Sequence, residues 1–469
     1  MRRATAILAL LAAPALPLRA QQPTARPPAA QRPTARPPAS RPLSLAEALR
    51  LAERSNPDYR QVANDVDVSE AQQRRARATY LPTLSASMNF NGSGSQTLTG
   101  QDDFGNPIRG ERRTVRSSSA SQGLSLSMLV FDGGGRERRI DAAGQQVAAA
   151  EAAAGARQAL LHAQVAQQYY RAVSAAARIA LEERLLQSAR EQYDATQRRY
   201  GIGAARREDL LGAETEVANA EASVETARGE ARKAQLLLRQ LIGLDPGAPF
   251  ALTDSIPRPS VTGPLDADSL VRVALAANPR LDAAAARVEA AERSAAAERG
   301  SRWPQITASA GYSRSDQSRD FGSFFDVTPA GARGFSFGLS TRLPIFDGFQ
   351  LGAQLASLDA QAEDARQQLR AERLQLEQEV RSAAIDVENA WRGLRLAERS
   401  AELSRERVAL TQERYQVGGV DYIVLQTVLG QAAAAERQEM NARLQLAIAW
   451  TTLQEKLGAS VMPASPGTP

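Results

Sequence analysis

The chain has 469 residues, 43% of them hydrophobic, enough for real cores in several domains or in one elongated architecture. With no cysteine and one histidine, His162, it cannot build a disulfide framework, a zinc–thiolate or iron–sulfur site, a thiol nucleophile, a lipid-modified N-terminal cysteine or a multi-histidine metal centre. The net charge of +5 would ordinarily raise nucleic acid as a partner, but residues 1–42 hold seven arginines and no acid. Taking those seven from 57 basic residues leaves 50 against 52 acidic ones, so the body is nearly neutral and nucleic acid is not expected.

In chain order, residues 1–20 read as a secretory signal peptide: Arg2 and Arg3, an apolar run broken by Pro14 and Pro17, then Ala20 before Gln21. Leu18 is a poor residue for the minus-three position of cleavage. Residues 21–42 repeat Pro-Thr-Ala-Arg-Pro-Pro-Ala and offer no face to bury, which predicts an extended, solvated linker.

The rest is duplicated, as residues 43–263 and 264–458, with a flexible tail expected over 459–469. Asn56-Pro57 recurs as Asn278-Pro279, and a helical stretch then leads to Pro82 or Pro304. Pro57 to Pro82 and Pro279 to Pro304 are both 25 residues. Phe131-Asp132-Gly133 recurs as Phe346-Asp347-Gly348, and Arg199-Tyr200 as Arg414-Tyr415; Asp to Tyr is 68 residues in each copy. The offset between copies is 222 up to the second proline and 215 from Phe131 onward, so the difference of seven falls between Pro82 and Phe131.

That segment and its mate, 83–131 and 305–346, predict strand hairpins. Leu84, Ala86, Met88 and Phe90 alternate with small polar residues, as do Leu124, Leu126, Met128 and Val130, then Ile306, Ala308, Ala310 and Tyr312, then Phe335, Phe337 and Leu339. Four strands of about nine or ten residues suit a tilted crossing of a bilayer. Phe90, Phe131, Tyr312 and Phe346 are expected at strand ends as an interfacial girdle, with the connections from about Asn91 to Ser121 and Ser313 to Arg333 outside the cell. Pro82, Pro304 and Pro344, with Asp132-Gly133 and Asp347-Gly348, mark the joints between strand and helix.

No proline occurs between Pro107 and Pro246 or between Pro344 and Pro463. Helices can therefore run from about Gly135 to Tyr200 and from Phe349 to Tyr415, each roughly 100 Å long. In the second, a seam from Leu351 to Val408 steps by four and three, interrupted by Arg373 and Ser404; the first has the same seam with Arg136, Gln158, Gln168 and Glu182 as polar exceptions. Return helices are expected over about Arg206–Leu241 and Asp421–Leu457, stopped by Gly243 and Gly458.

This duplicated order of helix, hairpin, Phe-Asp-Gly, long helix, Arg-Tyr-x-x-Gly and return helix resembles the TolC-like outer-membrane efflux proteins across residues 43–458. The resemblance implies a mainly α fold with membrane β structure. In it, a homotrimer gives four strands per chain to a twelve-stranded transmembrane β-barrel continuous with a long α-helical barrel in the periplasm. It implies a passive conduit of a tripartite efflux or type I secretion system, held in outer-membrane lipid and docked through a periplasmic adaptor to an inner-membrane pump. No cofactor, metal or enzyme chemistry is implied. Carried over residue by residue, the tips are 199–205 and 414–420, with Arg199, Tyr200, Gly203, Arg414, Tyr415 and Gly418 as adaptor-binding residues. Acidic gate positions beyond the second tip read Val424 and Thr427 here, in a segment one residue short of the usual pattern; the acids at hand are Asp421 and, in the first copy, Glu208 and Asp209. A rival reading from the helices alone is a periplasmic coiled-coil adaptor or scaffold, which the duplicated hairpins argue against.

Overall fold

A computed structural model describes residues 41–98, 104, 112–244, 250–259, 265–318 and 332–458. The signal peptide, most of the linker and the C-terminal tail lie outside them. Each repeat opens with two helices bent at the Asn-Pro pair: α1 (Leu45–Ser55) and α2 (Pro57–Ala78) in the first, α5 (Ala267–Ala277) and α6 (Pro279–Glu298) in the second. The strands are β2 (Thr83–Leu98) and β3 (Arg112–Phe131), then β5 (Gln305–Ser318) and β6 (Ala332–Arg342). The long helices α3 (Gly135–Gly201) and α7 (Gln350–Gln416) have 67 residues each, and the return helices α4 (Arg207–Leu241) and α8 (Tyr422–Lys456) have 35. None of the described helices is long and apolar enough to cross a membrane.

The Asn-Pro pair does two jobs at once. Asn56 Oδ1 accepts the N–H of Tyr59 and so caps α2, whose proline needs no partner in the first turn, while Asn56 Nδ2 donates to Leu241 O at the end of α4, 2.9 Å away. Asn278 repeats both bonds, capping α6 through Arg280 N and donating to Lys456 O at 2.8 Å. Gly243 and Gly458 lie beside these junctions at φ +67 and +70, and a Cβ on either would come within 2.6 Å of the carbonyl of Ser55 or Ala277.

The helices form a wall whose order changes along its length. Toward the strands it runs α2, α3, α6, α7; toward the far end it runs α4, α3, α8, α7, so that α3 is internal throughout and α7 is an edge throughout. The seam residues Leu355, Ala362, Leu376, Val380, Ala383, Val387, Leu394, Ala397 and Ala401 are buried, and Arg373 is exposed. In α3 the polar exceptions do not break the seam: Arg136, Gln168 and Glu182 are buried with partners, Gln168 donating to Ala234 O. Halfway along, β1 (Arg41–Leu43) pairs in parallel with β4 (Phe250–Leu252) against α3. Tyr169 fastens this ribbon, donating to Leu43 O at 2.8 Å and accepting from the N–H of Asp254. The expected linker boundary at residue 42 is therefore corrected, because Arg41 and Pro42 are already in a strand.

The sheet is an antiparallel meander, β2-β3-β5-β6, with β2 and β6 as open edges. Its register places Leu84, Leu126, Ala310 and Phe337 in one row, and Ala86, Leu124, Tyr312 and Phe335 in the next. The opposite face carries Ser85, Ser125, Gly311 and Ser336 in one row and Thr83, Ser127, Ser309 and Gly338 in another. The strands are longer than their alternation suggests, with 16, 20, 14 and 11 residues. Phe90 and Tyr312 consequently lie inside strands rather than at their ends, β6 stops four residues before Phe346, and the connections are shorter than Asn91–Ser121 and Ser313–Arg333. On β2 the apolar residues Leu84, Ala86, Met88 and Phe90 span six steps, about 20 Å along the strand.

Candidate functional sites at the two ends of the helices

At the sheet end, α3 begins in a tightly bonded joint. Asp132 is buried and accepts from Arg139 at 2.6 Å, while the Arg136 guanidinium donates to the carbonyls of Leu129 and Val130, each at 2.7 Å, and stacks over the Tyr80 ring. Gly133 has φ +68, and a Cβ there would overlap the Trp303 side chain, lying 2.7 Å from its Cγ. Trp303 follows a 3₁₀ turn, Arg299–Arg302, that carries α6 into Pro304 and β5. Pro82 occupies the matching place between α2 and β2.

The second joint has the same backbone with other neighbours. Asp347 accepts from the N–H of Leu351 at 2.8 Å, and Gly348 is at φ +65, but nothing lies where its Cβ would be. Phe349, at φ +67, takes the place that Gly134 has in the first joint. Pro344 lies past the end of β6, followed by Ile345 at 94% exposure and by exposed Phe346 and Phe349, whose rings meet edge to face at 5.7 Å.

At the far end, both Arg-Tyr-x-x-Gly copies close their long helix in the same way. Gly203 N donates to Tyr200 O and Ala204 N to Arg199 O; Gly418 N donates to Tyr415 O and Gly419 N to Arg414 O. Gly203 and Gly418 sit at φ +74 and +77, the left-handed stop that glycine takes without strain. The side chains differ between copies. Arg199 turns inward, its guanidinium 4.5 Å from the Tyr415 ring centroid and donating to Tyr415 O, and Tyr415 is buried. Arg414 and Tyr200 are exposed.

Of the three acids, Asp209 accepts from Arg206 N at 3.0 Å and caps α4. Glu208 and Asp421 are exposed, and neither carboxylate has a partner among the described residues. Two features here have no signal in the motif. Tyr422 is buried beside Tyr415, with its ring carbon 3.3 Å from where a Cβ on Gly212 would be; burial, and then Tyr415, Glu216 and Asp209, push its phenol up to about 12. Further up the seam Glu182, 1% exposed, accepts two bonds from Arg437 of α8 at 2.8 and 2.7 Å and one from Arg178. Arg437 and Arg178 hold its carboxyl below the usual glutamate range against the opposing effect of burial. A 270 Å³ cleft among α3, α4 and α8 is lined by Tyr422, Glu216 and Arg437, and Glu182 adjoins it only through Arg437.

A duplicated helix–hairpin–long helix plan with a four-stranded sheet at one end also describes known proteins. The profile of the outer membrane efflux protein family matches residues 48–244 and 270–459. The chain belongs to the outer membrane efflux protein family. Protein CyaE of Bordetella pertussis is 28% identical to it over 369 residues, spanning 77% of this chain and 71% of that one. Outer membrane protein OprJ of Pseudomonas aeruginosa is 28% identical over 377 residues, spanning 80% and 76%. The crystal structure of a membrane protein from Pseudomonas aeruginosa, 25% identical, superposes with a TM-score of 0.71 over 89% of this chain and 90% of its own. As an outer membrane efflux protein the chain is an outer-membrane channel protein, with the strands in the membrane and the helices extending into the periplasm. This family assignment replaces the adaptor alternative.

Proposed function

We propose that three copies of this chain close one conduit that crosses the outer membrane and the periplasm, and that the conduit receives its cargo from an inner-membrane pump through a periplasmic adaptor. The observation that carries the trimer is a set of unpartnered edges. In lipid, the free N–H and C=O groups of β2 and β6 are each costly, and a sheet joined edge to edge removes them. Three sheets of four strands make a twelve-stranded barrel.

The internal repeat supports the same partner. Leu374, Ile385, Leu396, Leu403 and Leu410 leave an exposed apolar row on the edge helix α7. The empty place over Gly348 corresponds to the one Trp303 fills over Gly133, and the residue equivalent to Trp303, 222 positions earlier, is exposed Leu81. A neighbour's Leu81 over Gly348 therefore repeats between chains what Trp303 does within one.

In this reading the adaptor docks at the tips, whose turns are set by Gly203 and Gly418 and where Tyr200 and Arg414 are exposed on the single chain. The Arg199–Tyr415 stack ties the two tips of one chain. Glu208 and Asp421 are the acids available to a gate, since Asp209 is engaged as a cap. The Ser- and Gly-rich face of the sheet lines a wide aqueous path, and cargo choice falls to the pump. The test is the mass of the protein extracted from the outer membrane, with the bound detergent subtracted. Three chain masses are expected, whereas a soluble monomer or dimer in the periplasm would sink the proposal.

A further inference from the structure

On the Ser- and Gly-rich face of the sheet, Arg342 at the foot of β6 stands opposite Gln305. From there up to the row of Asn89, Ser121, Ser315 and Ala332, no other residue on that face is charged. Arg342 is exposed and has no partner among the described residues. Its counterpart in the first repeat, 215 positions earlier, is Ser127, so each chain brings one such charge and not two. The repeat also indicates what the next chain sets beside it. The two offsets carry the β2–β3 pair of Leu84 and Leu126 onto Ile306 and Thr341, which are paired between β5 and β6. Applied to Ser127 and Ser309, a pair that joins the two repeats, they put Arg342 opposite Ser87 of the next chain. The neighbours of Ser87 on that face are Ser85 and Asn89, so closing the ring brings no carboxylate to neutralise the guanidinium.

We propose that the Arg342 side chains of three copies form a cationic collar at the foot of the β-barrel, which concentrates anionic solutes in the lumen and repels cations. The proposal rests on the trimeric channel reading, and it adds a bias of the wall itself to the pump's choice of cargo. A barrel of twelve strands spaced about 4.8 Å apart and tilted by about 40° has a radius of about 12 Å. That is close to the Debye length of about 10 Å in 0.1 M salt, so charges on the wall act across most of the bore and lose their reach as salt rises.

Ser340→Cys sets a thiol on the same face, two residues from Arg342, in a chain with no other cysteine. The intact channel carrying it is held in nanodiscs of phosphatidylcholine, which has no net charge, and is modified with an anionic or a cationic methanethiosulfonate of similar size. The ratio of the two rates reads the local potential, since any effect of Arg342 on ionisation of the thiol is common to both. In about 0.01 M salt, where screening is weak, Arg342→Gln should lower the anionic-to-cationic ratio. The expected fall is about threefold, the effect of losing about half a kT that acts with opposite sign on the two reagents. Arg342→Lys should keep most of the ratio, and about 1 M salt should bring the arginine channel close to the glutamine variant. Equal ratios for the arginine and glutamine channels overturn the proposal, as does a ratio indifferent to salt. The salt series decides by itself if Arg342→Gln inserts poorly. Leu339→Cys tests the channel reading separately, because it lies on the apolar face and should be shielded by lipid. Reaction there as fast as at Ser340→Cys, or none at Ser340→Cys, refutes the channel reading, whereas a reactive Ser340→Cys without charge preference refutes the collar alone.

Discussion

Glu182 illustrates how one residue can hold two halves of a duplicated chain together. Its carboxylate is out of water, and Arg437, 255 residues away, supplies both of its best bonds. Arg437→Met leaves a buried charge with only Arg178 at 3.4 Å, and should cost about 3 kcal/mol. Thermal unfolding of the purified channel checks this, and Glu182→Gln combined with Arg437→Met should recover part of the loss. The pH dependence has a definite sign. A carboxyl whose folded pKa is depressed contributes stability that is complete above its ordinary value of 4.5 and fades as pH falls through the folded value. The difference in melting temperature between wild type and the double variant should therefore shrink on acidification below that value and stay constant from pH 6 to 8. Asn56 and Asn278 work at closer range, each capping one helix and closing another; Asn278→Ala should cost about 1–2 kcal/mol by the same measurement.

Elements show where the pattern of residues was enough and where it was not. The helix ends at Gly201, Gln416, Leu241 and Lys456 follow from glycines and from proline-free runs, and the seam of α7 is buried where its four-and-three spacing puts it. Arg136, Gln168 and Glu182 look like breaks in the matching seam because their partners lie far along the chain or in backbone carbonyls, which periodicity does not reveal. Strand length was underread for a different reason. Past Phe90 and before Leu124 small and polar residues occupy nearly every position of the hairpin, so no alternation shows although the ladder continues. The two tip motifs have one backbone and two side-chain arrangements, a difference set by neighbours and not by the motif. The joints are similar: Gly133→Ala should lower the outer-membrane yield of folded channel sharply, since it meets both a positive φ and the Trp303 ring. Trp303→Gly in the same chain removes the Cβ that the added methyl meets, as well as the ring, so it relieves the overlap alone and should restore yield only in part.

For the whole molecule, the repeat makes the intermolecular contacts predictable from the internal ones. Arg199 stacks on Tyr415 within a chain, so the exposed Arg414 of one chain should stack on Tyr200 of the next. With no native cysteine to interfere, Arg414→Cys with Tyr200→Cys should give disulfide-linked dimers and trimers on a non-reducing gel, while Arg199→Cys with Tyr415→Cys should give none. A ladder from the second pair, or none from the first, refutes the proposed arrangement. The two open edges of the sheet also bear on inheritance. A subunit whose β6 edge is spoiled, for instance by Ser340→Pro, still offers a sound β2 edge and can join a ring that it prevents from closing. Such an allele should be dominant: co-expressed in equal amount with the wild type, it would spare about one ring in eight if chains mix at random, since all three subunits must be sound.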